Sequence, residues 1–205
     1  VIKKPIIALS LCGIAVFLGA WLGGGEVVKT LGNGIVPKET FTISIALIVL
    51  ASAALSLFLA NILAIPLSTS EVTVGSIVGA GIVYQSLYVA QFAWIFMFWI
   101  LTPLVAFAIA VLAGKFLKWP AVKKWVRSKK AKPVLAVLVV IMGIFEAFSA
   151  GMNNVANAVG PLVGADILTT QSGIFWGGLF VAIGALLLGR GVLETNGKKI
   201  TELRI

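Results

Sequence analysis

Six apolar runs make up most of this chain and constrain its fold more than any other feature. They lie at about residues 6–25, 41–65, 72–87, 88–113, 133–150 and 172–189. A helix needs about 20 apolar residues to cross the hydrocarbon core of a bilayer. Only helices and closed barrels satisfy every backbone group there. Because 60% of the residues are hydrophobic and 11% are charged, we predict an all-α, polytopic bundle of transmembrane helices.

One loop carries half of the basic residues and predicts the orientation of this bundle. Residues 115–132 contain eight of the 16 Lys and Arg residues and no Asp or Glu. Loops rich in Lys and Arg stay on the cytoplasmic side of a membrane, so we expect this loop to be cytoplasmic. It explains much of the net charge of +9, and we expect it to contact membrane lipid, not nucleic acid.

The residues that the chain lacks exclude several kinds of chemistry. There is no His, one Cys, one Asp and six Glu. That inventory does not suit a disulfide scaffold, a zinc site or a nucleophile paired with histidine. We therefore predict that the protein is not an enzyme and has no catalytic residue, metal site or cofactor.

An asparagine cluster lies at the end of the fifth run, in the motif SAGMNNVANAVGPL. Asn153, Asn154 and Asn157 share one helical face because they are spaced three and four residues apart. An unpaired amide in hydrocarbon costs about 2–7 kcal/mol, so the cluster is expected to bind something polar. The alternative is that the amides only hydrogen-bond neighbouring helices together. Gly151 predicts a break, after which a half-helix starts at Asn153 or Asn154 and directs its N–H groups at an anion.

A second polar segment, PLSTSEVTVG, follows the second apolar run. Pro66 ends the preceding helix, and Ser68 with Glu71 fits a capping box at the start of the next helix. The alternative is a capped helix without a ligand. The hydroxyl groups that would surround this helix start belong to Ser68, Thr69, Ser70 and Thr73.

Glu146 is the acidic residue nearest to the asparagine cluster on its own run. It lies seven residues before Asn153, on the same face of a straight helix. A carboxylate at the bilayer centre costs about 2.5–3.5 kcal/mol, so it is expected to pair, to become protonated or to line a cavity. A purely structural role is the alternative for Glu146, as capping is for Glu71.

The chain also contains a sequence repeat. Gly19–Ile35 and Gly184–Ile200 align without gaps at an offset of 165, with matches that include Gly24/Gly189 and Thr30/Thr195. Chance similarity between glycine-rich helix ends is the alternative. Five predicted crossings separate the copies, so they would be inverted, as the repeats of secondary transporters are.

The repeat divides the chain into three parts. These are the remainder of a first transmembrane repeat (1–114), the basic loop (115–132) and the start of a second, inverted repeat (133–205). We expect the chain to be a fragment, with a second asparagine motif before Val1 and a second hydroxyl-rich segment beyond Ile205.

The two motifs together resemble the PiT family of inorganic phosphate transporters. GMNNVANAVGPL is similar to that family's signature G-x-N-D-V-A-N-A-x-G-P, and PLSTSEVTVGSIVG is similar to its segment P-x-S-T-T-H-x-x-x-G. The resemblance covers nearly the whole chain. It implies an inverted-repeat secondary transporter with broken or re-entrant half-helices. The anion would lie at mid-membrane between two sets of side chains: Asn153, Asn154 and Asn157, and Ser68, Thr69 and Ser70.

Two departures from the family pattern bear on the substrate. Asn154 stands where phosphate transporters carry Asp, and Glu71 where they usually carry His. EAFSAGMNNVANAVGPL and VLETNGKKIT resemble the bacterial sulfate permease branch. Sulfate is fully deprotonated, so it only accepts hydrogen bonds, whereas hydrogen phosphate can donate one to an aspartate. Replacing Asp by Asn also removes a sodium ligand, which favours coupling to H⁺ over Na⁺.

The resemblance therefore implies proton-coupled import of sulfate across the bacterial cytoplasmic membrane by alternating access. Glu146 would carry the coupling proton, with Glu71 and Thr73 in coupling or structural roles. The nearest alternative is a sodium- or proton-coupled phosphate symporter. An alternative of another class is a membrane protein that does not transport and whose motifs only pack helices. A homodimer is a candidate assembly.

Overall fold

The computed structural model describes residues 5–63 and 65–195, and all regular structure within them is helical. The predicted all-α class is therefore confirmed. A π-helix, Thr30–Gly34, continues the first helix, and a 3-10 helix spans Lys38–Thr40. The seven α-helices are α1 (Pro5–Lys29), α2 (Ile43–Ile62), α3 (Thr69–Val83), α4 (Val89–Leu117), α5 (Pro120–Val126), α6 (Ala131–Gly164) and α7 (Thr170–Thr195).

Five of these helices are long and apolar enough to cross a membrane: α1, α2, α4, α6 and α7. This confirms a polytopic membrane protein. By contrast, α3 has 15 residues, which span about 22 Å at 1.5 Å per residue. That is less than the hydrocarbon thickness of about 30 Å. The third apolar run, at about residues 72–87, is thus a short helix that begins at the second polar motif.

The chain forms two compact units. One unit is Val89–Met142, and the other contains the segments up to Tyr88 and from Gly143 onward. In the first unit, none of the residues of α4 is buried, as expected of a uniformly apolar helix whose surface meets lipid or other helices. The basic loop 115–132 lies in this unit and includes α5. Its cytoplasmic location stays a prediction.

Hydroxyl side chains begin both helices that flank the second polar motif. The hydroxyl of Thr42 accepts a hydrogen bond from the Ile45 N–H at 3.3 Å, and that of Ser68 accepts one from the Glu71 N–H at 3.4 Å. Pro66 lies in the extended segment before Ser68. No bond from the Ser68 N–H to the Glu71 carboxylate is found in the described part of the chain, so only the Ser68 half of the capping box is confirmed.

The asparagine motif lies in an unbroken helix. Because α6 continues through Gly151 and Pro161 to Gly164, the prediction of a break near Gly151 is wrong. The half-helix expected to start at Asn153 or Asn154 is therefore wrong as well. Pro161 removes the bond that an N–H at this position would donate to the Asn157 carbonyl, but α6 ends only three residues later.

Gly151 has a packing role instead. A Cβ atom on Gly151 would overlap the carbonyl oxygen of Val16 in α1, and a Cβ on Gly19 would overlap that of Phe148 in α6. Transmembrane helices use small residues where their backbones come this close. The contact turns one face of α6 toward α1 and leaves the asparagine face for other partners.

Helices α1 and α7 pack against each other. The pairing of an early residue of one helix with a late residue of the other shows that the two helices are antiparallel. Each contact recurs with its partners exchanged when the offset of 165 is applied, as in any antiparallel pair in regular contact, so the inverted repeat stays a prediction. The exchanged contacts are Gly13 with Ala182 and Phe17 with Gly178, and Leu9 with Gly189 and Gly24 with Ile174. Residues 196–200 of the second copy lie outside the described residues.

The contact between α1 and α6 predicts that a methyl group added at Gly151 destabilises the protein, whereas one added at Gly143 of the same helix does not. We expect Gly151→Ala to destabilise the protein by about 1–3 kcal/mol, the usual cost of overpacking, because the obstacle is backbone. The control is Gly143→Ala, whose Cβ would meet nothing within 4 Å and which should be neutral or slightly stabilising. Thermal unfolding in detergent measures both; equal unfolding temperatures would contradict the contact.

Candidate anion-binding site

The two polar motifs face each other across one cavity of about 680 Å³. The start of α3 forms one wall, and the asparagine face of α6 forms another. We call it the amide cavity. Every side chain that the sequence predicted for the substrate site lines it, together with Thr73: Ser68, Thr69, Ser70, Asn153, Asn154 and Asn157. All of these residues belong to the same compact unit.

Hydrogen bonds between amides and hydroxyls join the two walls. Asn153 donates from Nδ2 to the Ser70 hydroxyl oxygen at 2.9 Å. Asn157 donates from Nδ2 to the same oxygen at 3.1 Å and to the Thr69 hydroxyl oxygen at 3.4 Å. Thr69 in turn donates its hydroxyl hydrogen to Oδ1 of Asn154 at 2.8 Å. Four bonds thus fix the start of α3 against the amides of α6.

This network leaves the Ser70 hydroxyl hydrogen free. A serine hydroxyl has one donor and two acceptor positions, and the amides of Asn153 and Asn157 fill both acceptor positions. Within the described residues, 5–63 and 65–195, no acceptor for the Ser70 hydroxyl hydrogen is found. The Nδ2 group of Asn154 likewise donates no hydrogen bond within those ranges. Both groups line the cavity, so both can donate to a ligand there.

The first turn of α3 adds main-chain donors. Ser68 caps this helix and accepts from the N–H of Glu71, which leaves the N–H groups of Thr69 and Ser70 without a helical partner. The positive end of the helix dipole lies at the same place. Free N–H groups and the dipole together favour an anion at a helix start.

One acceptor faces no donor. Asn157 is 8% exposed, and its Oδ1 is buried without a hydrogen-bond partner in the described structure. A buried polar atom without a partner costs about 1–3 kcal/mol. Because this oxygen has almost no accessible surface, it is not available to a ligand in the cavity and does not distinguish one anion from another.

The third wall of the cavity is apolar and was not predicted. It consists mainly of α2 residues at helical spacing, Leu50, Ala53, Ala54 and Leu57. The only sequence signal was this spacing of three and four residues, which ordinary core helices share. All lining residues are uncharged, so the cavity offers hydrogen bonds and a helix end, but no counter-charge.

Only one of the three residues predicted for coupling or structural roles lines the amide cavity. Thr73 lines the cavity, is buried and donates its hydroxyl hydrogen to the Thr69 carbonyl at 2.9 Å. Glu71 and Glu146 are exposed and do not line the cavity. Among the residues described, no cluster of three or more His, Cys, Asp or Glu suits a metal ion.

The alternative of helix packing is partly fulfilled, because the amides do bond α6 to α3. Packing alone does not use the free Ser70 hydroxyl, the free Nδ2 of Asn154 or the open end of α3. These donors converge on a cavity, where packed helices would leave none. The arrangement can bind an oxyanion through uncharged groups.

Comparisons with known proteins agree with the motifs. A family model described as "Phosphate transporter family" matches residues 2–205 of the chain. The sulfate permease CysP of Bacillus subtilis is 54% identical over 98% of this chain and 56% of its own length. A putative phosphate permease of Pyrococcus abyssi is 27% identical over 97% of this chain and 70% of its own length. One from Chlamydia muridarum is 46% identical over 30% of this chain and 14% of its own length.

The chain thus spans just over half of the length of the sulfate permease that it matches. No solved structure matches it significantly. The family match covers nearly all of the sequence, and the resemblance predicted from the two motifs is confirmed. The chain belongs to the phosphate transporter family.

Proposed function

We propose that the protein imports inorganic sulfate across the bacterial cytoplasmic membrane and binds it in the amide cavity. The observation that carries this proposal is the convergence of uncharged donors on a cavity without an acidic residue. Sulfate is a dianion that only accepts hydrogen bonds, and an aspartate in the lining would repel it. The similarity to a protein named a sulfate permease, at 54% identity, supports the same anion.

The cavity's donors have the character of an oxyanion site built from dipoles. The Ser70 hydroxyl, the Nδ2 group of Asn154 and the first N–H groups of α3 are fixed before a ligand arrives. A preformed site loses little conformational freedom on binding. Because these groups are neutral, they can hold the anion without an ion pair that would resist its release into the cytoplasm.

A second candidate is inorganic phosphate, although the buried Oδ1 of Asn157 is not exposed to accept a hydrogen bond from its hydroxyl group. The relatives named putative phosphate permeases support the same candidate, at lower identity. Sulfate remains our proposal because Asn154 occupies the position at which the family's phosphate transporters carry Asp.

We further propose that protons, not sodium ions, drive the import. The amide cavity has no carboxylate to bind a sodium ion. Glu146, seven residues before Asn153, and Glu71, in the first turn of α3, are the acidic residues of the two helices that form its polar walls, although neither lines the cavity. Glu146 is our candidate for the proton carrier, which would take up a proton on one side of the membrane and release it on the other.

Asn154→Asp tests the site directly. The substituted carboxylate still accepts the Thr69 hydrogen, so the fold should remain intact, but it places a negative charge in the cavity. Unit charges about 4 Å apart interact by about 4 kcal/mol near a protein surface, so we expect sulfate affinity to fall at least tenfold. Equilibrium binding of ³⁵S-sulfate to the purified protein in nanodiscs measures this. Asn61→Asp, an exposed position outside the lining, is the matched control and should bind normally.

Competing anions distinguish the two candidate substrates. Selenate is fully deprotonated like sulfate, and arsenate carries a proton like hydrogen phosphate. We expect selenate to displace ³⁵S-sulfate at concentrations similar to unlabelled sulfate, and arsenate to compete at least tenfold more weakly. Stronger displacement by arsenate, or tighter binding of ³²P-phosphate than of ³⁵S-sulfate, would favour the phosphate candidate.

Imposed ion gradients test the coupling. In vesicles that contain the protein, an inward proton gradient should accelerate sulfate uptake, and a sodium gradient at constant pH should not. Glu146→Gln should remove the response to the proton gradient while leaving sulfate binding intact. A response to sodium, or an unchanged proton response in that variant, would contradict this part of the proposal.

A further inference from the structure

A second, smaller cavity of about 230 Å³ lies at the end of α6 and shares no lining residue with the amide cavity. Lys29 and Lys38 are among its lining residues, and we call it the lysine cavity. Along α6 it begins at Val163, six residues beyond Asn157, a rise of about 9 Å. Its other polar side chains belong to Asn33, Asp166, Thr169 and Thr170.

The backbone at Asp166 has an unusual conformation. Asp166 has φ 55°, which is left-handed and usually occupied by glycine. The N–H of Asp166 bonds the carbonyl of Val163 at 3.1 Å, and that of Ile167 bonds the carbonyl of Leu162 at 2.9 Å. This is the Schellman pattern of a helix end, at whose left-handed position glycine or asparagine is preferred. Aspartate is tolerated at this position, although glycine and asparagine are preferred to it.

Electrostatics at the end of α6 also disfavours a carboxylate. The C-terminal end of a helix carries partial negative charge, which repels an anionic side chain. The compensating contact is an ion pair of 2.8 Å between Asp166 and Lys38. The side chains of Lys38 and Asp166 are 50% and 74% exposed, and exposed pairs of this kind are weak. The carboxylate is thus held on Lys38 by a contact that another anion can replace.

The start of α7 completes the lysine cavity. The Thr169 hydroxyl caps this helix by accepting from the Ser172 N–H at 3.2 Å, so the N–H groups of Thr170 and Gln171 have no helical partner. Lys29 pairs at 2.7 Å with Glu26, and Glu26 does not line the cavity. The lining residues therefore include two lysines and one aspartate, and the aspartate is paired with Lys38.

We propose that the lysine cavity is a second anion site, in which a divalent inorganic oxyanion replaces the carboxylate of Asp166 on Lys38. Asp166 occupies the site when no oxyanion is bound and competes with one that arrives. The free N–H groups of α7 and the ammonium of Lys29 complete the coordination. That the site holds anions on their way to or from the amide cavity rests on the proposed function; the binding itself does not.

Asp166→Asn is the direct test. Asparagine suits the left-handed position, so the fold should be retained, but the competing charge is gone. An exposed ion pair is worth at most about 1 kcal/mol, so we expect ³⁵S-sulfate to bind the lysine cavity about two- to fivefold more tightly at low ionic strength. Glu39→Gln is the matched control. It removes the same charge one residue from Lys38 but outside the lining, and it should change the affinity much less.

Lys38→Gln provides the opposite change and should abolish the second site. Binding is measured on the whole protein in phosphatidylcholine nanodiscs, with thermal unfolding to confirm that each variant is folded. If Asp166→Asn and Glu39→Gln raise the sulfate affinity equally, the effect comes only from removing a negative charge near Lys38, and the proposal is overturned. Unchanged binding in Lys38→Gln would overturn it as well.

Repeating the titrations in the Asn154→Asp background separates this proposal from the proposed function. If the amide cavity is the substrate site, Asn154→Asp removes sulfate binding there. The binding that responds to Asp166→Asn, in the lysine cavity, then remains. If Asn154→Asp has no effect but Asp166→Asn still tightens binding, the lysine cavity is supported and the proposed role of the amide cavity fails. A single event that responds only to Asn154→Asp would refute the lysine cavity alone.

Discussion

The convergence of two amide N–H groups on the hydroxyl oxygen of Ser70 is the interaction on which the candidate site depends. Asn153 and Asn157 approach it from one helix, and Ser70 belongs to the first turn of another. The contact gives the Nδ2 groups of both asparagines a partner, without which they would be costly in a membrane. It also fills both acceptor positions of the hydroxyl, so that its hydrogen remains available to a ligand.

Close packing between α6 and α1 orients the asparagine amides toward Ser70. Gly151 lets α6 approach the backbone of α1 at Val16, which fixes the rotation of α6 about its axis. Val155 and Ala156 are then fully buried while the asparagine face turns toward α3. A side chain at Gly151 would overlap the backbone of α1, so we expect it to displace α6 and with it the amides. The geometry of the candidate site thus depends on a glycine outside the cavity lining.

The residues of the site could be predicted from the sequence, because amides and hydroxyls in an apolar chain are costly unless they have polar partners. Their hydrogen-bond pattern could not, since it depends on how α6 is turned. The break expected at Gly151 failed for a related reason. Glycine in a helix signals either flexibility or close contact, and the contact partner, Val16, is remote in sequence. The ion pair of Asp166 with Lys38 could not be predicted either, because its two residues are remote in sequence.

The account's central claim is that an oxyanion occupies the cavity between α3 and α6. Ala158 lines that cavity, so a cysteine there, with Cys12 replaced by Ser, reports occupancy through its rate of modification by N-ethylmaleimide. We predict that sulfate slows modification of Ala158→Cys several-fold, in proportion to its binding, and leaves Asn61→Cys unaffected. Equal rates with and without saturating sulfate at Ala158→Cys would contradict the claim.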